Sequence, residues 1–319
     1  KRRGQTCRRI LSLSLSKIAH WFEGMAVVGG GDGDEIGRLP EECISHVLSL
    51  TSPLDACRLA AVSPAFLAAA ESDLVWGRFL PPDSGDDVLA PSVEARRFAS
   101  KKEIYLRLCD SVLVDGGRKI FKLERSTGRK CYTLSARDLM IVWGDTPHYW
   151  RWISLPESRF PEAAELLNVC WLEIRGKMDS KLLSRKTTYA AYLIFKLADE
   201  SHGLDLPYQE GAIQVGPRVS REAVCLHPHE LERSTHWHRP AVSFRRRFLR
   251  RVPPCSSSVL DKNRQVPCTR GDGWMEVLIG EFFNDEGDDG DVDISLVEIK
   301  GGQWKSGLIV EGIDIRPKT

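Results

Sequence analysis

The chain has 319 residues, 42% hydrophobic and 28% charged, with a formal net charge of +1. That length exceeds one small domain and suits two, and the composition is that of a soluble globular protein. Bulk charge gives no polyanion-binding footprint, and no apolar run nears the ~18–20 residues of a membrane span, so neither nucleic acid nor membrane is expected as a partner.

The first twenty residues, KRRGQTCRRILSLSLSKIAH, are rich in Arg and Ser and lack any acid. They fit an organelle transit peptide, or an extension upstream of a start at Met25, which is the favoured reading. Residues 1–35 are therefore set aside as a leader. The nine cysteines contain no CxxC pair and there is no N-x-S/T sequon, which predicts a reduced setting, cytoplasm and nucleus.

Residues 36–80 read as helical. LPEECISHVLSL sets Cys43, Ile44, Val47 and Leu48 on one face at helical spacing. Ser52-Pro53-Leu54-Asp55 and Ser63-Pro64 are two start signals, each with a capping serine and a proline at the first helical position. Three short helices are predicted, the last over AFLAAAESDLVWGRFL. So small a unit buries little core unless a partner completes it. Residues 81–116 form a linker and helical connection, with a basic amphipathic helix in PSVEARRFASKKEIYLRLCD.

From residue 117 to 319 the pattern turns to strands: LMIVW (139–143), VCWLEIRGKM (169–178), TYAAYLIFKL (188–197), AIQVG (212–216), WMEVLIGEFF (274–283), VDISLVEI (292–299) and LIVEGIDI (308–315). In the last of these Ile309, Ile313 and Ile315 are expected to share a face. The fold class expected is α+β overall: a small helical unit, then an all-β, jelly-roll-like sandwich. Residues 221–271 lack a sustained period and read as an irregular insertion.

Several segments carry the marks of known families. LPEECISHVLSLTSPLDACRLAAVSPAFLAAAESDLVWGRFL resembles an F-box, with Leu39-Pro40 opening, Pro53-Leu54 in the middle and Trp76 closing. KCYTLSARDLMIVWGDTPHYWRW, WLEIRGKMDSKLLSRKTTYAAYLIFKL, DGWMEVLIGEFFNDEGDDGDVDISLVEI and WKSGLIVEGIDIRP resemble, in family order, the phloem-protein-2 or Nictaba-related lectins. The combination resembles plant F-box lectins. The resemblance implies that the F-box binds the adaptor subunit of an SCF-type ubiquitin ligase, with Leu39, Pro40, Ile44, Leu48, Pro53, Leu54 and Val62 as the docking set. It implies that the sandwich binds N-glycans or glycoproteins for ubiquitination. The alternatives are a protein-binding sandwich without sugar binding, or a stress lectin acting outside a ligase.

Sugars present hydroxyls that need hydrogen bonds and a C–H face that stacks on aromatic rings. WGDTPHYWRW supplies both, with three of the chain's nine tryptophans within ten residues. Taken alone, such crowding favours core packing. The family's sugar-contacting tryptophans match Trp143 and Trp150, with Tyr149, Trp152 and Asp145 beside them. Trp171, Trp274 and Trp304 read as structural.

No metal or cofactor is expected. NDEGDDGDVD lacks the EF-hand pattern, and Cys225, His227, His229, His236 and His238 lack structural zinc spacing. RRRFLRR (245–251) is too short a basic run to imply nucleic acid. No nucleophile elbow or P-loop is present, so the chain is expected to be a non-catalytic adaptor.

Overall fold

The computed structural model describes residues 39–81, 98–227, 264–287 and 290–318. The leader, residues 82–97, His229, His236, His238 and RRRFLRR lie outside the described residues. The chain divides into two compact units, residues 1–132 and 133–319.

The first unit holds α1 (Glu41–Ser49), α2 (Pro53–Leu59), α3 (Pro64–Glu71), α4 (Asp73–Phe79) and α5 (Lys101–Leu108), then a hairpin of β1 (Val112–Val114) and β2 (Lys119–Leu123). Serine oxygens start four of these helices: Ser52 accepts from the Asp55 amide, Ser63 from Phe66, Ser72 from Leu74 and Ser100 from Glu103. The third predicted helix is in fact two, because Ser72 takes an extended backbone and caps a new start at Asp73. α1 turns Ile44 and Leu48 into the core, and Ser45 donates to the Ala69 carbonyl of α3. Trp76 is buried against Phe79 and Tyr105, and its Nε1 donates to the Ala70 carbonyl at 2.6 Å.

The second unit is built from two antiparallel sheets. One is ordered β3 (Lys130–Ser135), β14 (Ser306–Pro317), β8 (Thr187–His202), β12 (Met275–Asn284) and β11 (Cys268–Thr269). β6 (Ala163–Leu166) pairs with β14, and β5 (Trp150–Ile153) with β6. The other is ordered β10 (Arg218–Val224), β9 (Gln209–Val215), β13 (Asp291–Glu298), β7 (Leu172–Asp179) and β4 (Met140–Ile141). Alternation decides its faces: Leu172, Ile174 and Met178 of β7 and Val292, Ile294 and Leu296 of β13 point inward, the residues between them outward. Glycine is required where backbones approach closely. Between the sheets, a Cβ on Gly211 would lie 2.5 Å from the Ile279 carbonyl oxygen; within the first sheet, one on Gly312 of β14 would lie 1.9 Å from that of Leu134 of β3.

Two expectations change. A register shift between Val310 and Gly312 inserts Glu311, so Ile309 faces away from Ile313 and Ile315. Ile309 packs instead toward Trp274 and Ile194, while Glu311 is buried and paired with Arg159 at 2.7 Å. The described flanks of the 221–271 insertion are also ordered: β10 runs to Val224, the Cys225 amide bonds the Gln265 carbonyl, and β11 pairs with β12.

Candidate functional site

The aromatic cluster is placed by backbone bonds. The Val142 amide donates to the Glu173 carbonyl at 3.1 Å, fastening the end of β4 to β7. Trp143 then takes φ +58°, a left-handed conformation that costs a non-glycine residue roughly 1–2 kcal/mol. This strain ends the predicted strand LMIVW after two paired residues, and such outliers gather at functional sites. The turn is closed by the Thr146 amide on the Trp143 carbonyl, and by the Tyr149 and Trp150 amides on the Thr146 carbonyl. Trp152 anchors it: its Nε1 donates to the Gly144 carbonyl at 3.0 Å, and the Arg137 guanidinium lies 3.6 Å over its ring.

The result is a surface group of three rings, two exposed and Tyr149 half-buried. Trp143, 41% exposed, lies 5.2 Å from Tyr149 and meets Trp171 edge-on at 6.4 Å. Trp171 is itself 43% exposed, so it is not the structural residue the sequence reading made it. Its Nε1 donates to Glu173 at 2.8 Å, and Arg175 Nε donates to the other oxygen of the same carboxylate at 2.6 Å. Burial pushes the Glu173 carboxyl up, but these two hydrogen bonds outweigh it and hold it below its ordinary value. It therefore remains an acceptor at neutral pH. Strand parity is the signal that was available for Trp171: in WLEIR, Leu172 and Ile174 are the inward set, which turns Trp171, Glu173 and Arg175 outward together.

Trp150 is corrected. It is only 2% exposed, seated at the start of β5 opposite Leu166, and offers no face to a ligand. As the first residue of a strand whose partner β6 pairs with β14, it points into packed interior. Asp145 and His148 are exposed on the turn, and Tyr149 is half-buried. Trp274 is fully buried beneath Lys196, whereas Trp304 is exposed. Two aromatic faces, a carboxylate acceptor and a guanidinium donor are the groups that a sugar's C–H face and hydroxyls need.

The helical unit presents a second surface. Of the docking set expected from sequence, Leu39, Pro40, Leu54 and Val62 are exposed. Ile44, Leu48 and Pro53 are buried within the unit, because the inward face of α1 and the first turn of α2 form its own core. Two apolar residues outside that set are also exposed: Val47, 54% exposed, and Leu50, 68% exposed. Cys43, Val47 and Leu50 follow i, i+4, i+7 spacing beside the Ile44–Leu48 stripe, so α1 has an apolar arc wider than its own core covers.

The remaining sequence features have local explanations. In the run after β12, Asp285 and Glu286 are both ion-paired with Lys186. Cys225 is buried, which raises its thiol pKa, and the seven described cysteines are all free thiols.

Comparison with known proteins bears on both surfaces. A family model described as phloem protein 2 matches residues 129–317, and one described as F-box-like matches residues 36–81. Three Arabidopsis thaliana proteins are similar over most of their length. F-box protein At2g02240 is 44% identical over 306 residues, covering 95% of this chain and 86% of its own. F-box protein PP2-B1 is 43% identical, covering 88% and 89%, and F-box protein PP2-B10 is 42% identical, covering 87% and 92%.

Proposed function

Because the chain belongs to the plant F-box family that carries a phloem protein 2 domain, we propose that it is the substrate-recognition subunit of an SCF-type E3 ubiquitin ligase. In this reading the helical unit docks on the ligase adaptor. The β unit captures glycans or glycoproteins, ubiquitin transfer is carried out by other subunits, and the protein works in cytoplasm and nucleus. The observation that carries the glycan half is the surface Trp143–Tyr149–Trp171 group with its strained Trp143 backbone and bound Glu173 carboxylate.

Each half has its own test. On a glycan array, Trp143→Ala and Trp171→Ala are each expected to lower binding about tenfold or more, since an aromatic platform contributes roughly 1–3 kcal/mol when stacked. Both side chains are substantially exposed, so the melting temperature should stay within a few degrees of wild type. A folded wild-type protein that binds no glycan would turn the reading toward a protein-binding sandwich.

The adaptor half rests on the outward arc of α1. Fully burying an aliphatic side chain contributes about 1.5–3 kcal/mol. Val47→Asp with Leu50→Asp is therefore expected to abolish co-purification with the SCF adaptor without unfolding the unit. Retention of the adaptor by this double variant, or by a chain lacking residues 36–80, would remove the ligase from the account.

A further inference from the structure

A concavity on the second unit lies beside the aromatic cluster rather than over it. It is a trough of about 580 Å³ on the outward face of the sheet β10-β9-β13-β7-β4. The strand register gives its floor plan. Met140 lies opposite Arg175, Arg175 opposite Ser295, Ser295 opposite Ala212, and Ala212 opposite Arg221. Two arginines thus flank a floor of two small side chains, three strand spacings or ~14 Å apart. Tyr208 and Gln214 also line the trough.

Four observations narrow what it holds. The arginines are held by carboxylates of their own sheet, Arg175 by Glu173 at 2.6 Å and Arg221 by Glu210 at 3.2 Å. Each pair sets a donor beside an acceptor, which matches a hydroxyl group, since a hydroxyl both gives and accepts a hydrogen bond. The four acidic and four basic side chains lining the trough cancel, which disfavours a polyanion and suits a neutral polyol. The floor belongs to inner strands whose backbone groups are already paired on both sides, so an extended peptide cannot add to it as a strand. Finally, the trough is continuous with the aromatic cluster: Glu173 accepts from Trp171 on one side and holds Arg175, a trough residue, on the other.

We propose that this trough is a second set of sugar subsites, so that the site takes an extended neutral oligosaccharide spanning from Trp143 and Trp171 across to Arg221. The proposal rests on the reading of the aromatic cluster as the sugar contact. It assigns Arg175, Ser295, Gln214 and Arg221 to the inner residues of the glycan and the rings to its end.

The test uses the full chain with a desialylated biantennary N-glycan and its terminal mono- and disaccharide fragments, titrated in parallel. Ala212→Phe fills the floor and Arg221→Ala removes one wall; both sites lie on a solvent-facing sheet surface, and a thermal melt checks the fold. Wild type should bind the complete glycan at least tenfold more tightly than its fragments. Either variant should erase most of that difference while leaving fragment affinity within twofold. Trp143→Ala should weaken both sizes. Equal wild-type affinity for all sizes, or unchanged binding of the complete glycan by both trough variants, overturns the trough and leaves the aromatic site standing. Loss in the trough variants with no loss in Trp143→Ala overturns the aromatic site instead. No glycan binding by wild type ends both, and Arg221-dependent retention of a peptide library in its place assigns the trough to a protein ligand.

Discussion

Trp150→Ala is expected to destabilise the β unit by about 3–5 kcal/mol, the range for emptying a buried aromatic site. Trp150 is 2% exposed and begins β5, the strand that carries Trp152 and closes the turn displaying Trp143. Against a domain stability of about 5–15 kcal/mol, that loss is roughly a fifth or more of the total. Trp150→Phe should cost much less. Phenylalanine keeps most of the volume, and the Trp150 Nε1 has no hydrogen-bond partner among the described residues, so its removal relieves a buried donor. Urea unfolding checks both variants. This result also bears on how binding data are read: an alanine variant at this position that loses glycan binding does so by loosening the turn. The informative comparison is that Trp150→Phe keeps binding while Trp143→Ala loses it.

The second large effect concerns Glu298 and Lys305. Both side chains are buried and ion-paired, and Lys305 Nζ also donates to the carbonyls of Cys170 at 3.0 Å and Gln303 at 2.9 Å. Glu298 accepts in turn from the amides of Lys300 and Gly301. The Val169 and Lys305 backbones bond each other in both directions, so the pair fixes the segment that enters Trp171. Lys305→Met strands a buried carboxylate and is expected to cost about 3–5 kcal/mol; adding Glu298→Gln should recover part of that loss. Burial alone would raise the Glu298 carboxyl, but Lys305 and the two amides outweigh it and hold it below its ordinary value of 4.5. A carboxylate with a depressed folded pKa stabilises above its unfolded value and loses that contribution as pH falls through the folded one. Wild type should therefore lose stability progressively below about pH 4.5, and the Glu298→Gln/Lys305→Met variant should show a shallower decline over the same window. An equally steep decline in the double variant would assign the acid sensitivity elsewhere, with Glu276, also held low once Arg316 and Arg270 outweigh burial, as the next group to replace.

Much of the fold could be read from residues. The capped starts at Ser52 and Ser63, the alternation in β7, β9 and β13, and the apolar run of β14 mark elements that the structure contains. What escaped was set by long-range or single-residue events. The bulge at Glu311 reverses the face of Ile309, and β1, β2, β3, β5 and β6 are short strands defined by their partners more than by their own pattern. At the candidate site, the family resemblance pointed to a pair of tryptophans seven apart, Trp143 and Trp150, where crowding alone favoured core packing. The fold buries the second and brings up Trp171, a residue 28 positions from the first, through the Val142–Glu173 bond between two strands. On α1 packing divides the apolar residues by angle. Ile44 and Leu48 were assigned to the partner face, yet the helix turns them inward and leaves Val47 and Leu50 outside. A one-position rotation about the helix axis separates the buried stripe from the exposed one, and only packing decides between them.

The central claim is that Trp143 and Trp171, and not Trp150, meet the glycan. Tryptophan indole N–H signals in a ¹⁵N-labelled β unit, followed while a desialylated biantennary N-glycan is added, test it directly. The predicted result is saturable shifts at Trp143 and Trp171, with Trp150 and Trp274 unmoved. Shifts confined to other tryptophans, or none at glycan concentrations that saturate binding, would contradict it.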